Sequence, residues 1–270
     1  MVRSFVASEV EPQALEYNRA EKFNLPLFRQ LGDLGLLGVT VPEEYGGSGM
    51  DATACVIAME ELSASDPAFC LSYLAHSCLF LNNLNQNGSH EQKVRMADGR
   101  SEARRRRCSW VIDWEKQTSS LRYSPLLTLP ALLSHHRRRC LQMKYSPSAC
   151  DGSLVGGMCM SEPGAGTDVM GMSTNAVQKG DDFVINGQKM WITNGTIDGE
   201  NTGDAFLVYA KTGEKRSDMS MFIVEKGTPG FTLGQKIEDK LGMRASMTAE
   251  LVFEDVVVNR SQVSLGQRAK

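Results

Sequence analysis

The first ninety residues carry apolar side chains at helical spacing. Pro26 suits the first turn of a helix, where its missing N–H is of little consequence. The stretch "VPEEYGGSGMD" then interrupts the pattern with one proline and three glycines. Residues 51–66 and 69–86, rich in Ala, Leu, Met and Cys, predict two further helices that are mostly buried. Within 8–37 the positions that predict amphipathic helices are Val10, Ala14, Tyr17, Phe23, Leu27, Leu31 and Leu34.

After Met158 the pattern changes to alternation. In "DDFVINGQKMWIT" the dipeptide Asn186-Gly187 separates two strand-like runs, which predicts a tight hairpin at that point. "DAFLVYAKT", "SMFIVEKG" and "AELVFEDVVV" predict three more strands, because they are rich in β-branched and aromatic residues. Short strands separated by glycine-rich turns favour an antiparallel sheet over a βαβ fold. The predicted fold class is α+β, with an N-terminal helical domain followed by an antiparallel β-barrel-like domain.

Composition narrows the class of protein only loosely. The chain of 270 residues is 41% hydrophobic and 23% charged, which is typical of a globular protein of one or two domains. The net charge of −3 is too small to indicate a nucleic-acid or membrane partner, and no apolar run approaches the ~20 residues of a membrane span. The N-terminus shows no targeting peptide. Seven cysteines without metal-ligand spacing favour reduced, intracellular thiols and no metal site.

Residues 96–142 differ from the rest of the chain. They contain ten Lys and Arg against four Asp and Glu, and they include the runs Arg104–Arg107 and Arg137–Arg139 beside Trp110 and Trp114. Basic runs near aromatic residues could bind nucleic-acid phosphates. Because the segment lacks a helical or strand period, we favour the alternative, an atypical basic insertion that is disordered.

The stretch "MCMSEPGAGTD", Met158–Asp168, is either an ordinary turn or a loop that lies against a cofactor. It is not the dinucleotide fingerprint G-x-G-x-x-G, because Val169 occupies the position of the third glycine. Glycines at Gly164 and Gly166 would let backbone N–H groups approach a ligand closely. The loop lies where the helical part meets the β part, and domain junctions are preferred ligand sites.

Several motifs together resemble one family. "QLGDLGLLGVTVPEEYGGSGMD", "LSYLAHS", "MSEPGAGTD", "INGQKMWITNG", "FIVEKGTPGF" and "KLGMRAS" are similar, in this order, to the acyl-CoA dehydrogenases. The resemblance covers roughly residues 4–95 and 143–266 and is greatest to the members that act on isovaleryl-CoA. It implies an N-terminal helical domain at 1–95, the insertion at 96–142, a middle β domain with a flavin loop at 143–258, and the start of a C-terminal region at 259–270.

The resemblance also implies a cofactor and its site. FAD is expected, with the hydroxyl of Ser161 at the polar edge of the flavin, Trp191 covering one edge of it and Thr193 near its N5 atom. Thr167 is also expected to meet the acyl-CoA substrate. The family's catalytic glutamate lies in a C-terminal helical bundle, so no catalytic residue is named here. The implied FAD-binding residues are Met158, Cys159, Met160, Ser161, Glu162, Pro163, Gly164, Ala165, Gly166, Thr167, Trp191, Ile192 and Thr193.

The implied function is α,β-dehydrogenation of a short branched acyl-CoA, isovaleryl-CoA in leucine catabolism, in the mitochondrial matrix. Electron-transfer flavoprotein is the implied electron acceptor, and a homo-oligomer is implied. The sequence stops at Lys270, where the C-terminal bundle of the family would begin, so we expect an incomplete and inactive chain. The alternatives are a non-enzymatic module that binds FAD or acyl-CoA, and nucleic-acid binding through the Arg runs.

Two other residues attract attention. His76, among apolar neighbours in a predicted helix, is expected to be a hydrogen-bonded core residue rather than a base. Arg244 could approach an anion, or it could form a salt bridge that braces the β domain.

Overall fold

The computed structural model describes residues 1–87 and 144–259, together with the backbone of 263–265. The predicted insertion at 96–142 therefore lies outside the described residues. Helices form the first described part, and a curled sheet forms most of the second. Within the described ranges no helix is both long and apolar enough to cross a membrane.

The helical region follows the predicted order. Side-chain caps begin three of its helices: Asn24 accepts a hydrogen bond from the Leu27 amide, and Asp51 and Asp66 do the same for amides in the first turns that follow them. Two π-helical segments continue the α-helices, Val6–Val10 and Ala75–Asn82. The α-helices are α1 (Val2–Phe5), α2 (Glu11–Ala20), α3 (Leu25–Asp33), α4 (Ala52–Ser65), α5 (Pro67–Leu74), α6 (Asn83–Asn87) and α7 (144–150).

The sheet has eight strands among the described residues, in the order β6-β7-β3-β2-β4-β5-β8, with β1 also paired to β4. Neighbours are antiparallel except that β1 and β2 each run parallel to β4, so the sheet is mixed rather than purely antiparallel. The strands are β1 (Gly156–Cys159), β2 (Asn175–Lys179), β3 (Asp182–Thr193), β4 (Ala205–Lys211), β5 (Met219–Glu225), β6 (Phe231–Ile237), β7 (Thr248–Asn259) and β8 (Val263–Leu265).

The predicted hairpin at Asn186-Gly187 is wrong. Both residues lie inside β3, which continues through them, and the chain turns before β3 begins, around Gly180. Against β7 the register shifts between Ile185 and Gly187, so the dipeptide forms a bulge. The Asn186 side chain stabilises the bulge, because it accepts a hydrogen bond from the Asp255 amide at 2.8 Å. A turn dipeptide supports a bulge as well as a hairpin, since both need an unusual backbone conformation.

Three buried clusters form the core of the part of the chain that the structure describes. One lies among the π-helical segment Val6–Val10, α3, α4 and α5 and includes Phe28, Leu62 and Tyr73. A second lies within the sheet and includes Phe183 and Phe253. The third joins the two parts, where Phe80 and Leu84 pack with residues of α7, β4 and β5.

A histidine and a glycine fix the junction between helices and sheet. The His76 side chain is fully buried; its Nδ1 accepts a hydrogen bond from the Gly156 amide at 2.9 Å, and its Nε2 donates to the Ala149 carbonyl at 2.9 Å. A Cβ at Gly156 would lie 2.2 Å from the Phe80 ring, so only glycine lets β1 pack this closely. The expectation that His76 is a hydrogen-bonded core residue is confirmed.

Candidate functional site

The structure brings the two predicted cofactor segments together. The Met190 amide in β3 donates to the Ser161 carbonyl at 2.9 Å, and the Lys189 ammonium donates to the Met160 carbonyl at 3.1 Å. Farther along, a Cβ at Gly157 would lie 2.9 Å from the carbonyl oxygen of Thr193. Segments about thirty residues apart in sequence therefore run side by side and form one surface, called here the β1–β3 face and defined by residues 158–167 and 191–193.

Trp191 leaves the core of the sheet. The register between β3 and β7 shifts between Lys189 and Ile192, and Trp191 within that bulge has φ of +58°. A left-handed backbone is a strained conformation for a bulky residue, of the order of 1–3 kcal/mol. Trp191 as a whole residue is 53% exposed, although large aromatic residues usually bury most of their surface. The bulge thus presents an aromatic surface outward from the β1–β3 face at an energetic cost that the surrounding ladder must offset.

The loop after β1 closes on itself in a tight turn. Glu162 and Ala165 exchange backbone hydrogen bonds of 3.0 and 3.1 Å, with Pro163 and Gly164 between them. A Cβ built at Gly164 or at Gly166 would meet no atom within 4 Å. Packing within the described chain therefore does not require glycine at either position, unlike at Gly156.

A buried ion pair anchors this turn. The Glu162 carboxylate accepts hydrogen bonds from the Lys189 ammonium at 2.9 Å, from the Ser173 amide and hydroxyl at 2.6 and 2.7 Å, and from the Thr174 amide at 3.0 Å. Burial on its own would raise the pKa of Glu162, but these donors outweigh it and lower that pKa to about 2. Burial lowers the pKa of Lys189, and the carboxylate opposes this effect. Glu162 is thus an ionised anchor for the loop.

The predicted site residues divide into two groups. Cys159, Ala165 and Ile192 are buried within the chain, so only their backbone atoms are left for a ligand. The side chain of Glu162 is buried as well, in the ion pair with Lys189. Met158 is half-buried and packs against the third core cluster, where its sulfur accepts a hydrogen bond from the Asn83 side-chain amide at 3.7 Å. The remaining predicted residues are exposed or half-buried on the β1–β3 face: Met160, Ser161, Pro163, Gly164, Gly166, Thr167, Trp191 and Thr193. Among the described residues, the hydroxyls of Ser161, Thr167 and Thr193 form no side-chain hydrogen bond, which leaves all three available to a polar ligand.

Sequence reasoning missed two residues that hold the face in place. One is Lys189. A lysine within an otherwise apolar strand could have indicated a buried ion pair. Asn194 is the other: it has φ of +61°, and its side-chain amide donates to the carbonyls of Ser72 at 3.0 Å and Gly156 at 3.1 Å. It ties the end of β3 to both α5 and β1.

Arg244 forms a salt bridge rather than a free anion site. Its guanidinium pairs with Glu21 at the end of α2 and lies 3.5 Å from Asp239. The bridge braces the β part against the helical region.

Two models of one protein family match the two parts of this chain. The family model "Acyl-CoA dehydrogenase, N-terminal domain" matches residues 1–99, and "Acyl-CoA dehydrogenase, middle domain" matches 157–256. A helical region followed by a curled mixed sheet is the architecture of this class of protein. The chain belongs to the acyl-CoA dehydrogenase family, of which it carries these two domains.

Three relatives illustrate the likeness. The chain is 37% identical to a mitochondrial isovaleryl-CoA dehydrogenase of Pongo abelii, over 100% of this chain and 52% of that protein. It is 34% identical to a short-chain specific acyl-CoA dehydrogenase of Clostridium acetobutylicum, over 96% and 54%. A glutaryl-CoA dehydrogenase from Mycobacterium smegmatis, solved in complex with FADH2, superposes with a TM-score of 0.70 at 26% identity, over 97% of this chain and 53% of that one. The chain thus spans about half the length of the curated relatives it matches.

Proposed function

We propose that these two domains bind FAD on the β1–β3 face, as part of an acyl-CoA dehydrogenase that oxidises an acyl-CoA to its α,β-unsaturated product. The observation that carries the proposal is Trp191, whose strained backbone turns an exposed indole outward beside the loop that the Glu162–Lys189 ion pair anchors. Strain at an exposed aromatic residue is uncommon without a function. The FADH2 in the Mycobacterium smegmatis relative supports the same cofactor.

The described residues fit a flavin. Trp191 offers an aromatic surface to a flat ring system, and ring contacts of this kind contribute roughly 0.5–1.5 kcal/mol beyond burial. The open space at Gly164 and Gly166 leaves room for a ligand against the backbone. Ser161 and Thr193 supply hydroxyls that can donate to ring oxygens or nitrogens. When bound, FAD supplies the capacity to accept hydride.

The residues of this chain would serve to position the flavin. Glu162 and Lys189 fix the loop, and Asn194 fixes the end of β3, so the hydroxyls of Ser161 and Thr193 are presented from backbone segments that are hydrogen-bonded to one another. Preorganised donors of this kind act without reorganisation during the reaction. No catalytic base is assigned among the described residues.

Titration with FAD tests the proposal. The 270-residue chain is expected to quench FAD fluorescence on binding, and Gly164→Ala is expected to weaken binding while leaving the melting temperature unchanged, because its Cβ would enter open space. Gly180→Ala, in a turn away from the β1–β3 face, is the control that should not change FAD affinity. Equal FAD affinity in wild type and Gly164→Ala would contradict the assigned face.

For the substrate we propose a short branched acyl-CoA, isovaleryl-CoA, with Thr167 as a contact. Support comes from the resemblance and from the Pongo abelii relative; the relative from Clostridium, at 34% identity, is named short-chain specific. Isovaleryl-CoA is expected to bind the FAD-loaded chain more tightly than butyryl-CoA does in calorimetric titrations. The opposite order would contradict the branched-chain assignment.

We also propose electron-transfer flavoprotein as the electron acceptor, a homo-oligomer, and a mitochondrial location in leucine catabolism. The support is the family and the mitochondrial relative. Sedimentation of the FAD-loaded chain tests the oligomer, and a monomer at micromolar concentration would contradict it.

A further inference from the structure

Two cysteines outside the β1–β3 face lie next to each other. The sulfur of Cys55 in α4 is 3.5 Å from the sulfur of Cys78 in the π-helical segment Ala75–Asn82. The Tyr73 hydroxyl lies 3.9 Å from the Cys55 sulfur. Nothing in the proposed FAD or acyl-CoA chemistry uses this pair. We propose that Cys55 and Cys78 form a redox-active thiol pair that peroxide converts to an intramolecular disulfide.

The arrangement favours one thiolate within the pair. Hydrogen bonding from the Cys78 thiol, opposed by burial and aided by the Tyr73 hydroxyl, lowers the pKa of Cys55 to about 7. The pKa of Cys78 is raised correspondingly, because its proton is held between the two sulfurs. Near neutral pH a fraction of the molecules therefore holds a single proton between the two sulfurs, which lie 3.5 Å apart, and the thiolate so formed is the reactive form of cysteine.

The two sulfurs differ in access. Cys55 is buried at 5% exposure, whereas Cys78 is only partly buried. Peroxide therefore reaches the pair from the side of Cys78. Cys78 lies in a π-helical turn, a feature often found at functional sites.

The chemistry balances with hydrogen peroxide as the oxidant. The Cys55 thiolate takes the Cys78 proton, and the Cys78 sulfur attacks one peroxide oxygen; the O–O bond breaks, which leaves Cys78 sulfenic acid and hydroxide. That hydroxide takes the proton from Cys55. The Cys55 sulfur then attacks the Cys78 sulfur, the S–O bond breaks and a second hydroxide leaves. Both sulfurs are oxidised, and peroxide is reduced to one water and one hydroxide.

Other cysteines provide the internal comparison. Cys70, on α5, donates instead to the Met59 carbonyl, and burial raises its pKa to about 11. Cys150 and Cys159 are buried, and burial raises the pKa of each. The pair should consequently react before any of these three.

Mass spectrometry after brief peroxide treatment decides the matter. The chain would carry Cys108→Ser and Cys140→Ser, because both positions lie outside the described residues. Cleavage after Glu60 or Glu61 places Cys55 on a different peptide from Cys70 and Cys78, and cleavage after Tyr73 separates Cys70 from Cys78. The expected product is a Cys55–Cys78 crosslink with a loss of two hydrogens, formed faster as the pH rises through about 7.

Variants and a denatured control sharpen the result. Cys70→Ser should leave the crosslink and its rate unchanged, whereas Cys78→Ser should abolish it. In urea the crosslink should lose its selectivity, because the fold no longer holds the two sulfurs together. A crosslink that includes Cys70 would overturn the proposal. Oxidation of Cys150 while Cys55 and Cys78 are both still reduced would also overturn it.

Discussion

The Lys189 ammonium and the Glu162 carboxylate lie 2.9 Å apart with side-chain exposures of 0% and 3%. Lys189 belongs to the strand that presents Trp191, and Glu162 belongs to the turn that follows β1. One buried contact thus couples both halves of the β1–β3 face. Because three further donors from Ser173 and Thr174 complete the carboxylate's hydrogen bonding, the charge is compensated inside the protein.

Replacing Lys189 tests how much the stability of the fold depends on this ion pair. Lys189→Met is expected to destabilise the protein by about 3–5 kcal/mol, because it leaves a buried carboxylate without its counter-charge. The measurement is urea unfolding followed by circular dichroism. Adding Glu162→Gln to that variant should recover part of the loss, since the amide carries no charge. A double variant no more stable than Lys189→Met would contradict the charge argument.

His76 should make stability depend on mildly acidic pH. Burial lowers its pKa to about 4, and the hydrogen bond to Ala149 opposes this effect. In the unfolded chain the pKa is about 6.5, so between pH 6.5 and 4 only the unfolded state takes up the proton. Folding is then fully supported above pH 6.5 and loses stability as the pH falls toward 4, by about 2 kcal/mol between pH 7 and pH 5.

A variant separates His76 from other acid-sensitive groups. His76→Phe leaves the Gly156 amide without its acceptor, whereas the Ala149 carbonyl keeps the hydrogen bond from the Gly152 amide. The variant should therefore be less stable than wild type at pH 7 by about 1–3 kcal/mol. Its unfolding free energy should also change less between pH 7 and pH 5. An unchanged pH dependence in this variant would assign the effect to another group.

Trp191 gives opposite expectations for stability and for binding. Because the indole is exposed and the backbone is strained, Trp191→Gly should leave the melting temperature equal or higher, since glycine adopts φ of +58° without penalty. FAD affinity should fall several-fold, consistent with a lost ring contact of roughly 0.5–1.5 kcal/mol. Trp191→Ala is the matched control, which loses the ring and keeps the strain. A large drop in melting temperature in both variants would identify Trp191 as a core residue.

Gly187 should tolerate no side chain. A Cβ there would lie 2.4 Å from the Thr174 hydroxyl oxygen and 2.7 Å from the Thr174 Cα, and the backbone has φ of +150°. Gly187→Ala is expected to destabilise the fold by about 1–3 kcal/mol through this overlap. Thermal unfolding beside Gly164→Ala, whose Cβ has open space, provides the comparison. Equal melting temperatures would contradict the close approach of β2 and β3 at the bulge.

The periodic elements were readable before the structure. Ala, Leu, Met and Cys content predicted the helices at 51–66 and 69–86, and runs of β-branched and aromatic residues predicted β4, β5 and β7, because these are local preferences of the chain. The edge strand Phe231–Ile237 was missed, since Gly234, Gln235 and Lys236 interrupt its apolar alternation. Helical residues 144–150 lie inside the predicted middle domain, and Val263–Leu265 adds a strand beyond its predicted end. Those domain boundaries stay predictions.

The amino-acid sequence was sufficient to indicate the family, through motifs whose order and spacing need no coordinates, and it singled out two segments that the structure places side by side. Tertiary structure decided how that face is built. Asn186-Gly187 became a bulge rather than a hairpin because β7 pairs along the whole length of β3, a long-range contact that no local signal contains. Trp191 turned outward for the same reason, and Lys189 found its partner in Glu162, twenty-seven residues earlier. Local preference sets the period of an element, whereas the pairing partner sets register, bulges and the direction of each side chain.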